Sequence, residues 1–188
     1  MTHSLLVSLL AFALTVAAPA QDAPLVFTIT EGSTIGFVGS KVTGSHTGGF
    51  REFDGTFTLT GPTPEGAAIH VTIDMRSTWT DADRLTSHLM TADFFEVETY
   101  PAATFNSTAV TASGDAWAVT GELDLHGVTN EITFPATIAV AGDTLTAQAS
   151  FEINRFDWGI AYAGRPDDLI RPEVAIDFDI TATAAWCE

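Results

Sequence analysis

AWAVTGELDLHGVTNEITF, residues 116 to 134, decides the fold. Trp117, Val119, Gly121, Leu123 and Leu125 alternate with Ala118, Thr120, Glu122 and Asp124, and Ile132 and Phe134 resume the rhythm after the turn signal HGVTN. A period of two puts one apolar and one acidic or hydroxylic face on a strand, and a tight turn folds it back on its neighbour. The unit is therefore an antiparallel hairpin with one wet face.

The same alternation recurs on both sides. It is present at Ile69, Val71, Ile73 and Met75, at Ile132 through Ile138, at Leu145 through Ile153, and at Val174, Ile176, Phe178 and Ile180. With strands around 27–30, 34–42, 50–60 and 103–112 the chain has nine candidate segments, separated by GPTPEG, ASGD, HGVTN and AGD. Many even strands joined by short turns form an antiparallel barrel or a sandwich.

One stretch breaks the rhythm. Between Asp81 and Phe95 the spacing turns helical, with Leu85, His88 and Leu89 on one side and Thr80 or Asp81 as the capping candidate. Tyr100-Pro101 then forces an extended return to a strand. The expectation is a short helical insertion around residues 81–95, serving as a lid with Leu89, Phe94 and Phe95 as apolar cover.

The ends of the chain bound its setting. Residues 1–20 hold an apolar run from Leu5 to Ala18 followed by Ala18-Pro19-Ala20, the pattern of a secretory signal peptide cut after Ala20. The expected compartment is periplasmic or secreted. The run is too short for a membrane span, and residues 21–188 are the right length for a single domain. The chain carries 24 acidic and 7 basic residues, a net charge of −17 that repels phosphate backbones and excludes nucleic acid as a partner. Cys187 is the sole cysteine, so no internal disulfide or CxxC site exists; it is a free thiol or a link between two chains in a homodimer.

Catalytic signatures are absent: there is no GxSxG, Walker A, GxGxxG or HExxH. His88, Asp93, Glu96 and Glu98 have metal-binding atom types, but no i, i+4 pair fixes two of them on one helical face. The expectation is no metal, no cofactor and no catalytic residue, with His88 capping or fastening the lid. Arg155 is the more informative anomaly. Strand parity points it inward with Phe151 and Ile153, so it either clamps Asp157 or another acid or meets a polar ligand head.

Six segments taken together resemble the YceI-like family: STIGF (33–37), GGFREFDGTF (48–57), SHLMTADFFEVETYPAATF (87–105), VTGELDLHGVTNEITF (119–134), INRFDWGIAYAG (153–164) and DLIRPEVAIDFDITATA (168–184). The chain departs from the family pattern where Leu85-Thr86 replaces an Arg-Asp pair and where Arg171-Pro172-Glu173 replaces a more acidic stretch. The resemblance implies an all-β, eight-stranded antiparallel lipocalin-like barrel. It further implies a non-enzymatic, exported protein that holds a long-chain polyisoprenoid or isoprenoid quinone for carriage, storage or sequestration. An enzyme acting on a hydrophobic substrate, or a packed barrel used in stress or protein interaction, are the alternatives. The expected ligand contacts are Phe37, Phe57, Ile73, Met75, Leu89, Phe94, Phe105, Phe151, Arg155 and Trp158, with room supplied by Gly121, Ala136, Ala147 and Ala149.

Overall fold

The computed structural model describes residues 23–184, so the leader and Cys187 lie outside the described residues. The strands are β1 (Leu25–Ile29), β2 (Thr34–Lys41), β3 (Gly44–Phe50), β4 (Phe53–Leu59), β5 (Ala68–Asp74), β6 (Thr78–Thr80), β7 (Ala102–Ser113), β8 (Ala116–Leu125), β9 (Val128–Ala141), β10 (Thr144–Asn154), β11 (Gly164–Arg165) and β12 (Asp168–Ala184). One α-helix, α1 (Asp83–Leu89), and two 3-10 turns, Met75–Ser77 and Arg155–Trp158, complete the described elements.

These strands form a closed eight-stranded barrel, because three pairs of short strands are halves of longer ones. β1 and β2 lie end to end along β12: Phe27 pairs with Ala184, and Phe37 with Ile176. β4 pairs with β1 and β5, while β3 pairs with β2 and β6, so β3/β4 and β5/β6 are the next two barrel strands. The meander continues through β7, β8, β9 and β10 to β12, which closes the ring, with every pairing antiparallel. The ninth strand segment of the sequence reading is thus β1 and β2 counted separately.

Where the ladders break, hydroxyl groups take over. Thr30 Oγ1 and Ser33 Oγ both donate to the Thr181 carbonyl, at 2.9 and 3.2 Å. Ser77 Oγ accepts from the backbone N–H of Arg51 and Glu52 at 3.1 and 3.0 Å. Backbone groups left unpaired by a break would cost as much as lost hydrogen bonds, and these side chains prevent that.

β3, like the short β6 and β11, lies outside the nine segments expected from the alternation. In its sequence GSHTGGF, Gly48 and Gly49 are required by close approach. A Cβ on Gly48 would lie 2.5 Å from Phe37 Cζ and 2.6 Å from the Trp79 carbonyl oxygen. The glycines let the Phe37 ring and the returning β6 pack directly on the backbone.

The inward alternation sorts the barrel into two levels. At the end that carries the turns 114–115 and 142–143, Phe27, Leu59, Val110, Val119, Leu145 and Ala182 are buried in one continuous apolar floor. At the other end the wall rises to the β2–β3 turn, the insertion 81–101, His126-Gly127 and residues 155–167. Those long connections follow strand ends on one side only. They cover that end with Leu89, Phe94, Trp158 and Ile160.

Candidate ligand-binding site

Between the packed floor and the covering segments lies a cavity of about 380 Å³, within the range of about 300–1,000 Å³ usual for small-molecule sites. Its deep part is lined by Phe57, Ile69, Ala136, Ile138, Ala147 and Ile180, and its upper part by Phe37, Leu85, Leu89, Phe94 and Ile160. Apart from Ser40, Lys41, His46 and Arg155 the lining is apolar or glycine, and no acidic residue lines it among the described residues. Phe134 stacks on Phe151 at 4.3 Å and 7°, and Phe105 and Phe178 pack on Phe134 at 5.6 and 5.9 Å, so one flank is a wall of aromatic faces and edges. Such offset and tilted pairs hold one another in place and leave a rigid surface toward the hollow.

Phe37, Phe57, Ile73, Met75, Leu89, Phe94, Phe105, Phe151 and Arg155 all line this cavity. Trp158 does not. It is 2 % exposed and sits behind the wall, where its Nε1 donates to the Leu123 carbonyl at 3.1 Å. Among the small residues, Ala136 and Ala147 face the hollow. Gly121 supplies no room for a ligand, because the Phe105 ring fills its place: a Cβ there would lie 2.5 Å from Phe105 Cζ.

The lid is built differently from the expectation in its details. Neither Thr80 nor Asp81 caps α1; Ala82 does, without a side-chain hydrogen bond. Thr80 Oγ1 instead donates to the Ala82 carbonyl at 2.9 Å, and Asp81 pairs with His46 Nδ1 at 2.8 Å. Leu85 and Leu89 face the cavity, whereas His88 lines no part of it. Its Nε2 bonds the Asp93 carboxylate at 2.8 Å and its ring packs edge-on against Phe94 and Tyr162. His88 therefore fastens the turn that follows α1.

A second fastening joins the lid to the β8–β9 turn. Glu96 and His126 are the two non-glycine residues with positive φ among the described residues, at 47° and 54°. His126 Nδ1 donates to the Trp158 carbonyl at 3.0 Å, its Nε2 stands 3.8 Å from Glu96 Oε2, and Tyr100 packs on its ring at 4.6 Å. Left-handed backbone at both ends of one contact marks conformations held by their surroundings.

Arg155 is buried at 4 % exposure, and no ion pair joins it to a carboxylate among the described residues. The expected clamp to Asp157 is absent. Its guanidinium donates to the carbonyls of Arg171, Ile160 and Ile170. Burial pushes its pKa below the usual guanidinium value, although an arginine remains protonated at neutral pH. Lys41, by contrast, is paired with Asp168, and that ammonium holds the Asp168 carboxyl below its ordinary 3.8. The hydrogen bond from His46 likewise lowers Asp81. Sequence reasoning missed Ser40, Lys41 and His46 as lining groups; the one available signal was that Lys41 is the only lysine of the chain.

A family model described as the YceI-like domain matches residues 28–182. The chain belongs to the YceI-like family. It is 35% identical over 137 residues to a UPF0312 protein of Pseudomonas putida strain W619, covering 69% of this chain and 71% of that one. It is 42% identical over 96 residues to the protein YceI of Escherichia coli O6:H1, covering 51% and 50%. Among solved structures, Burkholderia cenocepacia BcnA superposes with a TM-score of 0.71 at 27% identity, over 80% of this chain and 96% of that one. A polyisoprenoid binding domain from Saccharophagus degradans, implicated in plant cell wall breakdown, superposes with a TM-score of 0.70 at 22% identity, over 86% and 99%. The YceI-like barrel is therefore shared by proteins whose sequences have diverged widely.

Proposed function

We propose that this protein is an exported, non-enzymatic binding protein that holds an isoprenoid-type lipid in the barrel interior for carriage, storage or sequestration. The observation that carries the reading is the hollow itself: an apolar cavity under an apolar lid, in a protein with a net charge of −17. The polyisoprenoid binding named for the Saccharophagus degradans neighbour supports the ligand class. The apolar run of residues 5–18 supports export into an aqueous compartment, where a lipid needs such a carrier.

Affinity does not require a specific head group. At about 0.8 kcal/mol per buried CH₂, even about fifteen carbons supply a gross gain near 12 kcal/mol. Ordering a flexible chain and immobilising the complex take back a large part of it. Polar contacts then set the orientation of the ligand.

Organic extraction of the protein purified from its own host, followed by mass spectrometry, tests the reading. Recovery of one lipid class in near-stoichiometric amount is expected; an interior that yields no lipid, and a lipid-free protein that takes up no isoprenoid, would refute it. N-terminal sequencing of the exported form, expected to begin at Gln21, tests the leader.

A further inference from the structure

We propose that the lipid taken by this cavity is anionic at one end, a carboxylate or a phosphate monoester, and that this end sits at the mouth against Arg155, Lys41 and His46. The proposal rests on the lipid-binding reading above and narrows it from lipids in general to singly headed acidic ones.

The charge of the wall is the reverse of the charge of the protein. Acidic residues outnumber basic ones by 24 to 7, yet none lines the cavity among the described residues, while Lys41, His46 and Arg155 all do. A solvated surface of this composition would place carboxylates at the mouth first. The acids nearest the mouth, Asp168 and Asp81, stand as partners of Lys41 and His46 and do not line the hollow, so the groups turned to it are hydrogen-bond donors.

Arg155 carries the argument further. A guanidinium has five N–H donors, and the carbonyls of Arg171, Ile160 and Ile170 accept from three different nitrogens, so two donors have no acceptor among the described residues. The group is 4 % exposed and has no carboxylate partner among the described residues. A buried cation of this kind is costly unless an anion completes it. Lys41 is paired with Asp168 and His46 is hydrogen-bonded to Asp81, so Arg155 is the one cation of the lining without a carboxylate partner among the described residues. The guanidinium matches the single charge of a carboxylate, and the Lys41 ammonium beside it can share the second charge of a phosphate monoester, which carries about −2 at pH 8.

The three polar side chains also share a place. Ile170 pairs with Lys41 in the β12–β2 ladder, and the Ile170 carbonyl is one of the acceptors of Arg155, so the ammonium and the guanidinium flank the same residue. His46 lies on β3, the other arm of the hairpin that carries Ser40 and Lys41. The deep lining of Phe57, Ile69, Ala147 and Ile180 offers nothing polar, so the tail points to the floor and the head to the mouth.

The test uses lipid-free mature protein and two pairs of probes with matched tails: oleic acid against oleyl alcohol, and geranylgeranyl monophosphate against geranylgeraniol. Displacement of a fluorescent apolar dye at pH 8 and low salt gives each affinity. The expected result is at least about tenfold tighter binding of the acid than of the alcohol in one pair, and the pair with the larger ratio identifies the head as carboxylate or phosphate. Equal affinities within both pairs would overturn the proposal and leave the lipid-binding reading intact; no binding of any probe would overturn the reading itself. Arg155→Gln and, at a more exposed position, Lys41→Met should each lower the acid affinity more than the alcohol affinity. If Arg155→Gln fails to fold, the wild-type ratios and Lys41→Met still decide. An acid preference that Lys41→Met and a folded Arg155→Gln both leave unchanged would place the head elsewhere and refute the site.

Discussion

The two levels of the barrel predict that equal truncations will have unequal costs. Leu145 is 0 % exposed and lies in the floor, outside the cavity lining. Leu145→Ala removes three carbons, about 2.4 kcal/mol of transfer free energy at about 0.8 per group. It also leaves a void, bringing the expected loss to about 2.7–5 kcal/mol. Ile176 pairs with Phe151 and Phe37 but turns its inner side to the cavity. A side chain bordering empty space has already forfeited part of its dispersion contacts, and its removal only enlarges an existing hollow. Ile176→Ala should therefore cost about 2 kcal/mol in the lipid-free protein, at the low end of such truncations. Urea unfolding followed by tryptophan fluorescence gives both values, with the midpoint shifting and the slope unchanged. If Ile176→Ala costs as much as Leu145→Ala, the interior is packed solid and the argument for a binding cavity fails.

Gly121→Ala should cost about 1–3 kcal/mol by overpacking, because the new Cβ would lie 2.5 Å from both Phe105 Cζ and the Asn106 carbonyl oxygen, which belongs to the paired backbone; thermal denaturation checks it, and an unchanged midpoint would refute it. Trp158→Phe leaves the Leu123 carbonyl without its donor and should lose about 1–2 kcal/mol of stability with oleic acid affinity unchanged, since Trp158 stands behind the wall; a large loss of affinity at intact fold would return Trp158 to the ligand contacts. The Asp168 carboxyl is held below 3.8 by Lys41, so its contribution is fully present above about pH 3.8 and lost as the pH falls through the lowered value. The stability difference between wild type and Asp168→Asn should therefore be constant at neutral pH and shrink in strong acid; a difference that grows on acidification would contradict the pairing.

The lid shows how far sequence patterns carry a site. Leu89, Phe94 and Phe95 were legible as its apolar cover because helical spacing and aromatic content mark a stripe that needs burial. The neighbouring His88 has the same spacing yet lines no part of the cavity. Its direction was settled by Asp93 and Tyr162, partners that no periodicity specifies. Arg155 was legible as inward-pointing by parity, but the nature of its partners was not, since backbone carbonyls leave no signature in a sequence.

What the sequence by itself determined is the alternation that makes each strand two-faced, and with it the inward set from Ile69 to Ile180. That follows from the geometry of extended chain, in which successive side chains must oppose. Only the tertiary structure decided that β1 and β2 are one barrel strand, that GSHTGGF is a strand whose glycines admit the Phe37 ring, and that the ring of strands closes through β12. It also brought Lys41, His46 and Arg155 to one mouth from positions as far apart as 41 and 155 in the chain. Closure and convergence depend on which strands hydrogen-bond across the barrel, and local sequence carries no force that acts over that distance until the core has collapsed.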